Sequence, residues 1–86
     1  MIIEEIQQRL AKLEPDSIKI EDESHLHKGH AGSLNGGHYH LHIVSKCFCG
    51  LSLIERHRLI YRLLNDLMHH KIHALSIDAQ ATMDNF

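Results

Sequence analysis

The sequence predicts an α+β single domain, ordered helix, strand, strand, helix, strand around a three-stranded mixed sheet. Apolar residues recur at steps of three and four in two segments, residues 2–13 and 53–67, as they do on one face of a helix. They alternate with polar residues in three others, residues 17–22, 38–45 and 72–79, as in strands covered on one side only. The third strand follows the second helix directly, and a strand–helix–strand crossover makes the flanking strands parallel when they share a sheet.

At 86 residues the chain is one domain, residues 1–86. Folding at that size buries only about 60 to 65% of the unfolded chain's surface, which argues against a deep enclosed active site. An apolar content of 43% is ordinary for a globular protein, and no apolar run approaches the roughly 18 residues of a membrane span. Acidic residues in MIIEEIQQRL stand where a signal peptide would carry basic ones, so this segment reads as mature structure and the expected location is cytoplasmic, with no membrane partner. A formal charge of −2 argues against a strongly cationic surface, although ten histidines make the charge depend on pH. Cys47 and Cys49 are too close along an extended segment for an unstrained mutual disulfide and are expected as free thiols.

Ile2, Ile6, Leu10 and Leu13 form the stripe of the first helix, which Pro15 ends. Ile18 and Ile20 alternate with polar neighbours in the first strand. Residues 23–37 hold four of the five glycines and no periodicity, so they read as a flexible loop long enough to suspect a function. In the second strand Tyr39, Leu41 and Ile43 take one face and His38, His40 and His42 the other. Ser52 and Glu55 form a capping box for one long helix with the stripe Leu53, His57, Ile60, Leu64 and Leu67, closed by His69, His70 and Lys71. The third strand places His73, Leu75 and Ile77 on one face, and residues 80–86 are expected to be weakly ordered.

Parallel strands begin at the same edge. The His-bearing loop that feeds the second strand therefore lies at the end where His73 opens the third, and the cysteines lie at the other end. His73 with a loop histidine, His30 first and His27 or His25 behind it, is the candidate metal pair, since neutral imidazole binds borderline metals and can replace thiolate on cluster iron. Two ligands leave a site open to donors from another molecule. His38, His40 and His42 have the spacing of a sheet-face metal site, but a wet face of an antiparallel pair is the simpler reading; clustered there, they would take zinc or nickel adventitiously. His57 reads as a packing residue. No nucleophile stands beside a recognisable base, and no glycine-rich phosphate loop opens a helix, so nothing demands an enzyme.

The strings Glu23-Ser24-His25, Ala31-Gly32-Ser33, Ile43-Val44-Ser45, Phe48-x-Gly50, Leu53-x-Glu55-Arg56-His57-Arg58-Leu59-x-Tyr61 and Ile72-His73-Ala74-Leu75 together resemble the BolA family over residues 3–79. The resemblance implies a fold of the class II K-homology type with the element order above, and marks Phe48, Gly50 and His57 as structural signature positions. It implies a partner, a monothiol glutaredoxin, and a [2Fe–2S] cluster shared with that protein and glutathione, with none in the isolated chain. His73 matches the family's cluster-ligating histidine, and the second ligand, from the loop, falls nearest His30, with His27 and His25 as alternatives. Glutaredoxin and glutathione thiolates would complete the coordination, in cluster trafficking or iron and redox regulation. The family is also associated with transcription regulation in stress response, through a helix-turn-helix-like surface on which Lys46, Arg56, Arg58 and Arg62 would meet phosphates; the negative net charge ranks DNA binding second. The apo chain is expected as a monomer or weak dimer.

Overall fold

The computed structural model describes residues 2–27 and 37–82. Its helices are α1 (Ile2–Leu10), α2 (Leu53–Leu63) and α3 (Asn65–His70), and its strands β1 (Ser17–Asp22), β2 (Gly37–Val44) and β3 (Ile72–Gln80). The sheet order is β1-β2-β3: β1 runs antiparallel to β2, from Ser17 opposite Val44 to Asp22 opposite Tyr39, and β2 runs parallel to β3. This is the expected α+β domain with a mixed sheet. No described helix is long and apolar enough to cross a membrane.

All three helices cover one sheet face. Ile6, Leu10 and Leu13 meet Leu41 and Ile43 of the central strand, with Phe48, Ile60, Leu64, Leu67 and Ile72 completing one buried cluster. Helix α1 tightens into a 3-10 turn over Ala11–Leu13, where Glu14 takes a left-handed conformation (φ 45°) and returns its N–H to the Ala11 carbonyl at 3.0 Å. Pro15 has no N–H to continue the ladder. Ser45, fully buried, joins three elements: its hydroxyl donates to the Leu13 carbonyl and accepts from the Cys47 N–H, and its own N–H reaches the Gln80 carbonyl at 2.9 Å. Phe48 fills the core behind that turn, and Gly50 (φ 79°) lies in the left-handed region that a Cβ disfavours. The third strand reaches Gln80, Ala81 beyond it is buried, and the Thr82 hydroxyl bonds to the Asp16 carboxylate. Residues 80–82 of the stretch expected to be weakly ordered are thus packed, and residues 83–86 lie outside the described residues. Ser24–His27, within the expected loop, form a 3-10 turn.

The single long helix expected over residues 53–70 is two. Leu64 (φ −104°, ψ 10°) leaves the helical conformation, and Asn65 and Asp66, residues that favour helix starts, open α3. The Asp66 carboxylate accepts from Arg9 of α1 and from backbone N–H groups of its own first turn, which together hold its pKa at about 2. The stripe of α2 also differs from expectation. Leu53 is 66% exposed, whereas Arg56 is buried: its Nε donates to the Leu51 carbonyl at 3.1 Å and its Nη1 to the Ala79 carbonyl at 3.0 Å. A guanidinium with good carbonyl acceptors tolerates the interior better than its charge suggests. His57 is half-buried beside it, consistent with packing.

Arg56→Ala removes those bonds, one of them buried, so denaturant unfolding will show a loss of about 2 kcal/mol, against about 0.5 or less for exposed Arg58→Ala. The Arg9–Asp66 pair adds an acid dependence. The Asp66 pKa falls on folding from 3.8 to about 2, so its contribution is complete above 3.8 and is lost as pH falls through 2. Asp66→Asn will flatten the stability profile in that window, measured as thermal midpoint against pH.

Candidate functional site

The start of β3 departs from regular pairing. Gly37 stands opposite Ile72 and His38 opposite Ala74, so one step of β2 spans two of β3 and His73 is the extra residue of a bulge. Strict alternation would have sent His73 inward with Leu75 and Ile77. The bulge instead puts Ile72 in the core, 2% exposed, and leaves both His73 and Ala74 exposed. Its imidazole stands 5.0 Å, centroid to centroid, from that of His38, the rings tilted by 51°.

The same edge is the exit of β1. The Glu23 N–H reaches the His38 carbonyl at 2.8 Å, and the Ser24 hydroxyl accepts from the His38 N–H at 3.0 Å. Ser24 in turn meets the Asp22 carboxylate through its hydroxyl and through its N–H, the latter at 2.9 Å, and these two contacts, the hydroxyl's first, lower the Asp22 pKa. Tyr39 is buried here; burial and then the Asp22 charge raise its pKa. A Cβ on Gly37 would come within 2.5 Å of the Tyr39 ring, so this close approach requires glycine where β2 begins. The Gly37 N–H closes the edge onto the Lys71 carbonyl at 3.2 Å. His25 is exposed in the turn that follows Asp22. His30 and the side chain of His27 lie outside the described residues, so of the candidate ligands His73 and His25 are the two whose side chains are placed.

The three strand histidines separate into two groups. His38 belongs to the edge with His73, whereas His40 and His42 stack at 4.2 Å on the sheet face opposite the described helices, their planes 16° apart. His42 Nε2 is 2.9 Å from Glu21 Oε1 and its Nδ1 is 3.4 Å from Asp78 Oδ2. The His42 contact, followed by the Lys19 charge, lowers the Glu21 pKa. Reading the strands one at a time missed both carboxylates, because only the register brings Glu21 opposite His40 and Asp78 opposite His42.

The candidate phosphate contacts also separate. Lys46, Arg58 and Arg62 are exposed, the two arginines lining an open depression with Leu51, Glu55 and Leu59. Arg56 is corrected from phosphate contact to internal cation, since its guanidinium is bound to the carbonyls of Leu51 and Ala79. Glu55 closes the capping box with Ser52, whose N–H and hydroxyl lower its pKa, and its carboxylate opposes a purely cationic surface there. Cys47 and Cys49 are free and exposed at the far end of the sheet, with the Cys47 thiol 3.4 Å from the Leu13 carbonyl.

The BolA-like protein family model matches residues 10–84. SufE-like protein 1, chloroplastic/mitochondrial, of Arabidopsis thaliana is 45% identical over 82 residues, covering 87% of this chain but only 22% of that protein. The DNA-binding transcriptional regulator BolA of Haemophilus influenzae is 41% identical over 73 residues, 84% of this chain and 69% of that one. Among solved structures, the BolA domain of SufE1 from Arabidopsis thaliana superposes with a TM-score of 0.81 at 45% identity, covering 92% of this chain and 90% of the other. The chain therefore spans about a fifth of its plant relative and about two thirds of its bacterial one.

Proposed function

The chain belongs to the BolA-like family, and from that premise we propose that it is a non-enzymatic partner of a monothiol glutaredoxin, with which it shares a [2Fe–2S] cluster. The observation that carries this reading is His73, an imidazole pushed out of the strand by a bulge at the edge where the segment between β1 and β2 leaves the sheet. A metal ligand needs an accessible lone pair on a rigid element, and the bulge supplies both. The donors fit a shared group rather than a resident one. Imidazole is an accepted iron ligand in a [2Fe–2S] cluster, and one or two nitrogens leave coordination for thiolates from glutaredoxin and glutathione. His73 supplies one nitrogen, His30 is the first choice for the other, and His25 and His27 are the alternatives. The cluster would supply electron storage or a transferable iron–sulfur unit, in trafficking or in iron and redox regulation. His38, ring to ring with His73 and anchored through its backbone to Ser24, limits the orientations open to His73.

Anaerobic reconstitution with a monothiol glutaredoxin and glutathione tests this. A heterodimer is expected whose visible absorption and circular dichroism differ from those of the glutaredoxin homodimer, and His73→Ala with His30→Ala will abolish the difference. His73→Cys will retain a cluster with a displaced spectrum. An unchanged spectrum in the double variant overturns the ligand assignment.

A second reading, binding of DNA by a transcriptional regulator, is favoured by the name of the Haemophilus influenzae relative and by the exposed Lys46, Arg58 and Arg62. Its weakness is charge, −2 overall with Glu55 in the same depression. It requires saturable binding to a preferred duplex, weakened by Arg58→Ala with Arg62→Ala, with a salt slope shallower by about 1 per lost phosphate contact. Non-saturating binding in an electrophoretic titration removes it.

A further inference from the structure

On the sheet face opposite the described helices, we propose that Glu21, His40 and His42 form a second site, distinct from the His73 edge, that binds one borderline divalent cation such as zinc. One donor atom from each of the three lies within 4.8 Å of the others. Bonds of about 2.0–2.2 Å at tetrahedral angles put donor atoms about 3.3–3.5 Å apart, so closure needs only small rotations of half-buried side chains. Two imidazoles and a carboxylate on adjacent strands make a three-donor set that leaves a position for water.

Two features beyond proximity point to a cation. The first is the position of His42 between two carboxylates, Glu21 at Nε2 and Asp78 at Nδ1. A neutral imidazole carries one N–H and satisfies only one of them; its other nitrogen then turns a lone pair toward a carboxylate oxygen. A metal ion between Nε2 and Glu21 relieves that conflict. With the metal on Nε2, the remaining N–H points to Asp78, the carboxylate–histidine–metal arrangement that orients a ligating ring. Asp78 is itself within reach of the Gln80 amide at 3.4 Å. The second feature is the stacking of His40 on His42 at 4.2 Å. Two charged rings in that geometry repel, whereas two neutral rings both present nitrogens to one ion.

Lys19 stands opposite His42 on β1 and is the cation nearest in register, but it is exposed and its flexible stem can move aside. His40 lies opposite Ser76, three residues along from His73, or about 10 Å at the strand rise. The site is therefore separable from the edge by mutation, and it stands whether or not the glutaredoxin reading does.

Untagged protein titrated with zinc at neutral pH, followed calorimetrically and by imidazole carbon–proton NMR, will bind one equivalent with the His40 and His42 resonances shifting. His40→Ala with His42→Ala will weaken binding at least tenfold, and isosteric Glu21→Gln will weaken it without disturbing the fold, checked by circular dichroism. Asp78→Asn will weaken it a few-fold, and His73→Ala will leave it unchanged. The proposal is overturned by absence of binding, by affinity unchanged in the His40/His42 double variant, or by loss of binding on His73→Ala alone.

Discussion

The parallel pairing of β2 with β3 is the constraint on which the rest of the molecule depends. It requires the chain to leave the far end of β2, cross the covered face as α2 and α3, and re-enter the sheet beside the residue where β2 began. That return brings His73 to the exit of β1, and puts Asp78 beside His42. The same crossover lays Ile60, Leu64 and Leu67 over Leu41 and Ile43, so one topological choice positions both the core and the histidines. Ser45 and Arg56 fasten the far end, each binding backbone groups of segments distant in sequence.

Histidines on one protein surface have acquired different surroundings. At the edge, a bulge frees His73 from the alternation of its strand and sets it, exposed, against His38. On the face opposite the described helices, regular pairing holds His42, stacked on His40, between carboxylates from both neighbouring strands. The first arrangement, among the described residues, is an exposed imidazole set against a neighbouring ring. The second carries its own counter-charges and suits an ion held by this chain alone. Cations are divided as well: Arg9 and Lys71 are engaged with Asp66 and Glu5, Arg56 is internal, and Arg58 shares its depression with Glu55. That distribution sets each of these four cations against a carboxylate or in the interior.

Much of the fold was legible because it rests on local patterns. The alternation of residues 17–22 and 38–45 located β1 and β2 to within a residue, and the capping box marked the start of α2, since the side chains concerned act on backbone within one turn. The family strings identified Phe48 and Gly50 as structural, and they occupy the core and a left-handed turn. The inward turn of Arg56 was not legible, because its acceptor Ala79 is 23 residues away. Nor was the break at Leu64, where Asp66 is drawn toward Arg9, 57 residues distant.

The sequence by itself determined the α+β class, the order of the strands and the crossover between the last two, the family, and the shared edge of His73 and the β1–β2 segment. Periodicity, capping and chain connectivity are properties of neighbours along the chain, and they require no distance to be known. The tertiary structure alone decided that His73 sits on a bulge, that His38 parts from His40 and His42, and that Glu21 and Asp78 flank His42. Those outcomes depend on strand register, and register is set by how whole faces fit together: a slip of one residue would exchange the buried and open sides of the strand.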